Sequence, residues 1–182
     1  QNGALDITGD FTLEGWYRPE SNPGNDEVHT LAGKYDVGSA QRSYLLEYRD
    51  TGGTERISLL ISEDGGGTNL TWLQWDNTLT AGVDAHIAVI VDVSEPAASQ
   101  AELVLNGVSQ GAPDVVSQDG GVTSIFSSSA NFNIGARDNS GANYGDGLFD
   151  DWRLWNIKRT PTQIADNMNR CLLYTSPSPR DR

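Results

Sequence analysis

The strongest constraint in this sequence is its rhythm: short runs of alternating or wholly apolar residues, each stopped by a cluster of turn formers. FTLEGWYR (11–18) sets the pattern, with Phe11, Leu13, Gly15 and Tyr17 on one side and Thr12, Glu14, Trp16 and Arg18 on the other. That period of two belongs to a half-buried strand, closed here by Pro19. Further strand signals follow in HTLAGKY, SYLLEYR, RISLLIS and LTWLQW, separated by SNPGND, DVGSAQ, DTGGT and EDGGG. Glycine and short polar residues in such breaks supply the backbone conformations that turns require.

AHIAVIVDV (85–93) is apolar on both faces, which predicts a central strand covered on each side. AELVLNGVSQ (101–110) reads as a hairpin turning at Asn106-Gly107, two residues that tolerate the positive φ of a type I′ turn. NFNIGA and GLFDDWRLWN supply closing strands. One helix is predicted over residues 161–168, with Thr160 as N-cap, Pro161 in the first turn and Gln163 placed to bond back to the cap. Some ten short strands and one short C-terminal helix specify an all-β fold, an antiparallel two-sheet sandwich.

The chain has 182 residues, enough for one core, and we assign residues 1–170 to a single domain. Residues 171–182, CLLYTSPSPRDR, change composition abruptly and read as the translation of a synthetic sequencing adapter, of the kind found on environmental reads, or as a disordered Ser/Pro linker. With 25 Asp and Glu against 12 Lys and Arg, the formal charge of −13 opposes nucleic acid and anionic membranes as partners. No apolar run has the length of a membrane span. Cys171, the one cysteine, can make neither an internal disulfide nor a thiolate metal site.

Three blocks carry a resemblance. ALDITGDFTLEGWYRP, HIAVIVDV with ELVLNGV, and NIGA with GLFDDWRLWNIKRTPTQI resemble, in order and spacing, the laminin-G/pentraxin-like domains of the concanavalin A-like lectin/glucanase superfamily. The resemblance implies an antiparallel jelly-roll sandwich. It also implies a closing strand of the form G-x-I-D-[DE]-V-R-I-[WY]-N, in which Phe149 stands for the usual Ile and Trp152 for the usual Val. Members usually carry a further strand before the first block, and in many it contributes to a calcium site; only Gln1, Asn2 and Gly3 precede the block here, so such a site is expected to be incomplete.

Strict alternation in GLFDDWRLWN would turn Asp150 inward with Leu148, Trp152 and Leu154, and Asp151 outward to pair with Arg153 or water. A buried carboxylate needs amide donors, a cation or a metal. Asp150 is thus either a structural carboxylate bonded to backbone amides or an arginine, or, as the resemblance implies, a metal ligand with Asp146 beside it, structural calcium being the implied ion since it takes oxygen donors. The loop 137–147, RDNSGANYGDG, holds further candidate contacts in Asp138, Asn143 and Tyr144. Trp72 and Trp75 fall on opposite faces of their strand, and Trp75 with Asn77 combines a ring with polar groups in the manner of a sugar platform. His29 and His86 are read as structural.

Catalytic patterns fail. The superfamily's glucanases align two glutamates about an aspartate on one strand, and neither E-x-D-x-E nor E-x-D-x-x-E occurs in this chain. GVSQG (107–111) copies a nucleophile elbow, yet Ser109 falls in a returning hairpin strand and no helix follows. The expectation is a non-catalytic extracellular or cell-surface module, part of a longer polypeptide, that binds a glycan or an extracellular protein. A spacer in an adhesin or phage fibre is the alternative, and a glycoside hydrolase is disfavoured.

Overall fold

The computed structural model describes residues 5–117, 121–137 and 143–170. The C-terminal segment 171–182 and Asp138 lie outside the described residues. Eleven strands are described: β1 Phe11–Pro19, β2 Val28–Lys34, β3 Tyr44–Thr51, β4 Thr54–Ser62, β5 Leu70–Asp76, β6 Ala85–Val91, β7 Ala101–Leu105, β8 Val108–Gly111, β9 Val115–Ser117, β10 Phe132–Ile134 and β11 Gly147–Trp155. They form two antiparallel sheets, of order β11-β1-β6-β7-β8 and β10-β2-β3-β4-β5-β9. The jelly-roll sandwich expected from the sequence is the observed architecture. Among the described residues no helix is long and apolar enough to cross a membrane.

The inner faces supply one core. Phe11, Leu13 and Tyr17 of β1, with Ile87, Val89 and Val91 of β6, meet Tyr44, Leu46, Tyr48, Ile57, Leu59, Ile61, Leu73 and Trp75 from the opposing sheet. Strand alternation puts these residues on one side, and burying them removes their apolar area from water at about 25 cal/mol per Å². β6 is buried along its whole length. Its second face, with Ala88 and Ile90, packs with Val104 under Ile164 of α1, Pro161–Asn167. Helix α1 therefore covers the outer face of the five-stranded sheet, which explains why β6 is apolar on both sides. The helix begins with the expected capping box: the Thr160 hydroxyl accepts from the Gln163 amide at 3.2 Å, and the Gln163 side chain accepts from the Thr160 amide at 3.0 Å.

The closing strand departs from strict alternation. In the β1–β11 pair Thr12, Leu13 and Glu14 face Trp155, Leu154 and Arg153, whereas Trp16, Tyr17 and Arg18 face Asp150, Phe149 and Leu148. Asp151 and Trp152 thus share Gly15, a bulge with Asp151 at φ 50°. The extra residue inverts the parity of the strand's first half. Phe149 turns inward beside Tyr17, with ring centroids 5.0 Å apart, and Leu148 is 64% exposed. Asp150 is exposed on the outer side, which corrects the expectation of an inward carboxylate.

Candidate functional site

At one end of the sandwich a cleft of about 460 Å³ opens between the turn before β2 and the loop before β11. Asp26, Glu27 and Val28 form one wall, and Asn143, Tyr144, Gly145 and Asp146 the other. Left-handed backbone shapes both walls, with Asp26 at φ 60° and Asn143 at φ 55°, in a region that Asn and Asp tolerate better than most residues. Gly145 donates its amide to the Gly135 carbonyl at 2.9 Å, so close to β2 and Phe149 that a β-carbon there would collide with the Thr30 carbonyl and the Phe149 ring.

Asp146 is anchored from below. Its carbonyl accepts from the Tyr17 hydroxyl at 2.8 Å and from the Glu20 amide at 3.1 Å, and its carboxylate accepts from the Ser21 hydroxyl at 2.5 Å. Tyr17 is fully buried in the core, so the cleft's second wall is fixed to the first strand of the sandwich. Burial, then the charges of Asp146 and Glu27, push the Tyr17 phenol up, keeping it protonated as a donor. Tyr144 is 62% exposed, an aromatic ring presented to solvent beside an Asn and three carboxylates. Among the described residues no lysine or arginine lines the cleft.

The fold thus brings together Asn143, Tyr144 and Asp146, and it separates them from the other candidates. Trp75 is 1% exposed, packed in the core with its ring nitrogen donating to the Gly111 carbonyl at 3.0 Å, so it is no sugar platform. Asn77, half-buried just after β5, bonds through its amide to the Glu55 carbonyl at 3.0 Å and is not among the residues that line the cleft. Asp150 points away from the core on β11, where it accepts the amide of Asp151 at 2.8 Å. Among the described residues no group of three His, Cys, Asp or Glu side chains is arranged to hold a metal ion, and of the two candidate metal ligands only Asp146 lines the cleft. Asp151 pairs with Arg153, as expected. Of the cleft's other wall only Asp26 is legible in the sequence, as the last residue of the turn-forming SNPGND, and Glu27 carries no signal there.

Two polar clusters lie elsewhere. On the outer face of the six-stranded sheet Thr30, Glu47, Ser58 and Gln74 stand in register across β2 to β5, and the Arg49 guanidinium sits 4.4 Å from the Trp72 ring centre. Burial pushes Glu47 up to about 7, against the opposing pull of Arg49 and Arg137. On the outer face of the five-stranded sheet the buried Glu14 carboxylate accepts from the Trp155 ring at 2.7 Å and lies 3.7 Å from His86. Burial, then the nearby Arg153 charge, pull His86 down to about 4. A larger open depression of about 640 Å³, lined by residues 6–10 and 156–158, has no aromatic side chain, and its lysine, Lys158, is held by Asp92 and Asp10.

The family profile of the concanavalin A-like lectin/glucanases superfamily, laminin-G type, matches residues 1–165. The chain belongs to that superfamily. No curated protein matches the sequence. Among solved structures, the superfamily fold recurs in domain 4 of AbnA, an extracellular arabinanase from Geobacillus stearothermophilus solved with arabinotriose, at TM-score 0.58 and 18% identity over 89% of this chain and 68% of that one. The IT-sialidase CBM40 of Ruminococcus gnavus, bound to α2,3-sialyllactose, aligns at TM-score 0.64 and 13% identity over 91% of this chain and 86% of that one. A SAP-like pentraxin from Limulus polyphemus aligns at TM-score 0.58 and 12% identity, over 88% and 70%. At these identities the likeness is one of fold.

Proposed function

We propose that the chain is a non-catalytic carbohydrate-binding module that holds a neutral glycan in the cleft between Asp26-Glu27 and residues 143–146, outside the cell and as part of a larger polypeptide. The observation that carries this is the exposed Tyr144 ring set beside Asn143 and Asp146 and facing two further carboxylates. A sugar presents C–H faces that lie on an aromatic ring and hydroxyls that donate to carboxylates or bond to an amide. The cleft's three carboxylates, with no lysine or arginine beside them among the described residues, oppose anionic sugars. The arabinotriose bound by the arabinanase domain supports a neutral glycan, while the sialyllactose of the CBM40 module, an anionic sugar, supports only the coarser class of glycan, and each ligand belongs to its own protein.

The test is a broad glycan array followed by titration of the best neutral hit. Tyr144→Ala should weaken binding at least tenfold while leaving the melting temperature unchanged, because the side chain is exposed. Binding that survives both Tyr144→Ala and Asp146→Asn would place the site elsewhere, and an array with no hits would favour a spacer. Melting with and without chelator tests calcium separately. A chelator-sensitive melt that becomes insensitive in Asp146→Asn would put an ion at this cleft.

A further inference from the structure

Behind Glu27, buried next to the cleft, lies an arrangement that glycan recognition does not account for. His29 is 1% exposed, at the second position of β2. Its Nδ1 lies 3.2 Å from the Tyr17 hydroxyl oxygen, which is itself 2.8 Å from the Asp146 carbonyl oxygen. Two oxygens at 2.8 Å need a hydrogen between them, and a carbonyl has none, so the phenolic proton goes to Asp146. Tyr17 has no second proton. Nδ1 of His29 must therefore carry the hydrogen of that contact, which leaves Nε2 of the neutral ring as a bare lone pair.

That lone pair has no hydrogen-bond partner, and it is buried. What it faces is a carboxylate: Oε1 of Glu27, 3.6 Å away. Glu27 is held in that orientation, since its Oε2 accepts the Gly24 amide at 2.7 Å and its own amide donates to the Gly24 carbonyl at 2.8 Å. When the ring is neutral, two electron-rich atoms thus confront one another at a distance too long for a hydrogen bond. An ion bound to both, at about 2.1 Å from each in tetrahedral or wider geometry, would separate them by roughly 3.4–3.6 Å.

From this geometry we propose that His29 Nε2 and Glu27 Oε1 form a two-residue site for a divalent transition-metal cation, with zinc, copper or nickel as the chemical class. An imidazole nitrogen with a carboxylate suits these ions, whereas calcium takes oxygen ligands. The Tyr17 hydroxyl that accepts from Nδ1 is the outer partner that a ligating histidine ordinarily has; it fixes both tautomer and ring orientation. Asp26 and Asp146 line the same cleft and make its potential attractive to a cation, and water completes the coordination. The site differs from a calcium site at Asp146 and Asp150, and it does not rest on the glycan reading.

Titration of the full chain with zinc by calorimetry, and with cobalt by visible absorption, tests the proposal. The expected result is one equivalent of metal, with at least tenfold weaker binding in Glu27→Gln, whose amide oxygen can still accept from Gly24 and whose side chain is more than half exposed. Tyr17→Phe should weaken binding several-fold, and Asp84→Asn, at an exposed carboxylate outside the cleft, should leave it unchanged. His29→Gln, checked for folding by circular dichroism, should abolish the cobalt spectrum. Zinc affinity unaltered in Glu27→Gln, absence of binding in the parent chain, or a proton found on Nε2 of metal-free His29 at neutral pH by nitrogen NMR would each overturn the proposal. A glycan signal that persists in His29→Gln, at a residue that does not line the cleft, while metal binding is lost separates this site from the carbohydrate reading.

Discussion

Trp152 packs against Gly15, the one residue of β1 that faces both Asp151 and Trp152 across the β1–β11 pair. A β-carbon on Gly15 would fall inside the indole's own volume. The glycine is thus what lets β11 carry an extra residue and still return its second half to the core.

Gly15→Ala should destabilise the domain by about 1–3 kcal/mol, the usual cost of overpacking a filled site. Urea unfolding of the variant and the parent would measure it. Asp151 gives the complementary result: at φ 50° a glycine is unstrained and a β-branched residue is not, so Asp151→Val should lose more stability than Asp151→Gly. Equal effects of the two substitutions would argue against the bulge.

Trp75 and Trp72 should separate in the same assay. Trp75→Ala empties a fully buried site and should cost about 3–5 kcal/mol. Trp72→Ala removes a partly buried ring from the outer face of the six-stranded sheet and should cost clearly less. Neither should alter glycan binding at the cleft, in contrast to Tyr144→Ala.

Stability against pH should reflect two buried groups of opposite sign. His86 titrates near 4 when folded and near 6.5 when free, so the unfolded chain takes up a proton first and stability falls as pH drops from about 6.5 to about 4. Glu47 titrates near 7 when folded and near 4.5 when free, so the folded chain keeps a proton that the unfolded chain has lost, and stability falls as pH rises from about 4.5 to about 7. Each limb amounts to at most roughly 3 kcal/mol at about 1.4 kcal/mol per pH unit, and the two nearly cancel. Glu47→Gln should uncover the histidine limb, with stability climbing from pH 4.5 to 6.5 in denaturant titrations. A variant whose profile matches the parent at every pH would refute the assignment to Glu47.

The start of α1 offers a local check. Thr160→Ala removes the hydroxyl that accepts from Gln163 and should cost about 1 kcal/mol, with Thr160→Ser close to neutral. Because Ile164 seals the outer face of β6, the loss should appear as a lower global unfolding free energy.

Much of the fold was legible because strand alternation and turn chemistry are local. The core face of β1, the doubly covered β6, the Asn106-Gly107 turn with φ of 50° and 77°, and the capping box at Thr160 all follow from residues a few positions apart. The site was legible only in part. Asn143, Tyr144 and Asp146 lie in one loop and were read together, whereas Asp26 and Glu27 arrive from a turn more than a hundred residues earlier, brought there by the pairing of strands. Parity placed Trp72 and Trp75 on opposite faces, yet it could not say which face was the core.

The sequence by itself determined that this chain would be an antiparallel sandwich of short strands closed by a capped helix, since hydrophobic period, turn residues and cap residues act over a few bonds. Only the tertiary structure decided where Asp150 points and what His29 faces. A single bulge opposite Gly15 reverses strand parity, which no local pattern announces. The pairing of Tyr17 with Asp146, across 129 positions, turns a histidine that looked structural into one with an unpartnered nitrogen aimed at a carboxylate. Both outcomes depend on contacts between strands distant in sequence, where packing and hydrogen-bond geometry override the alternation of any one strand.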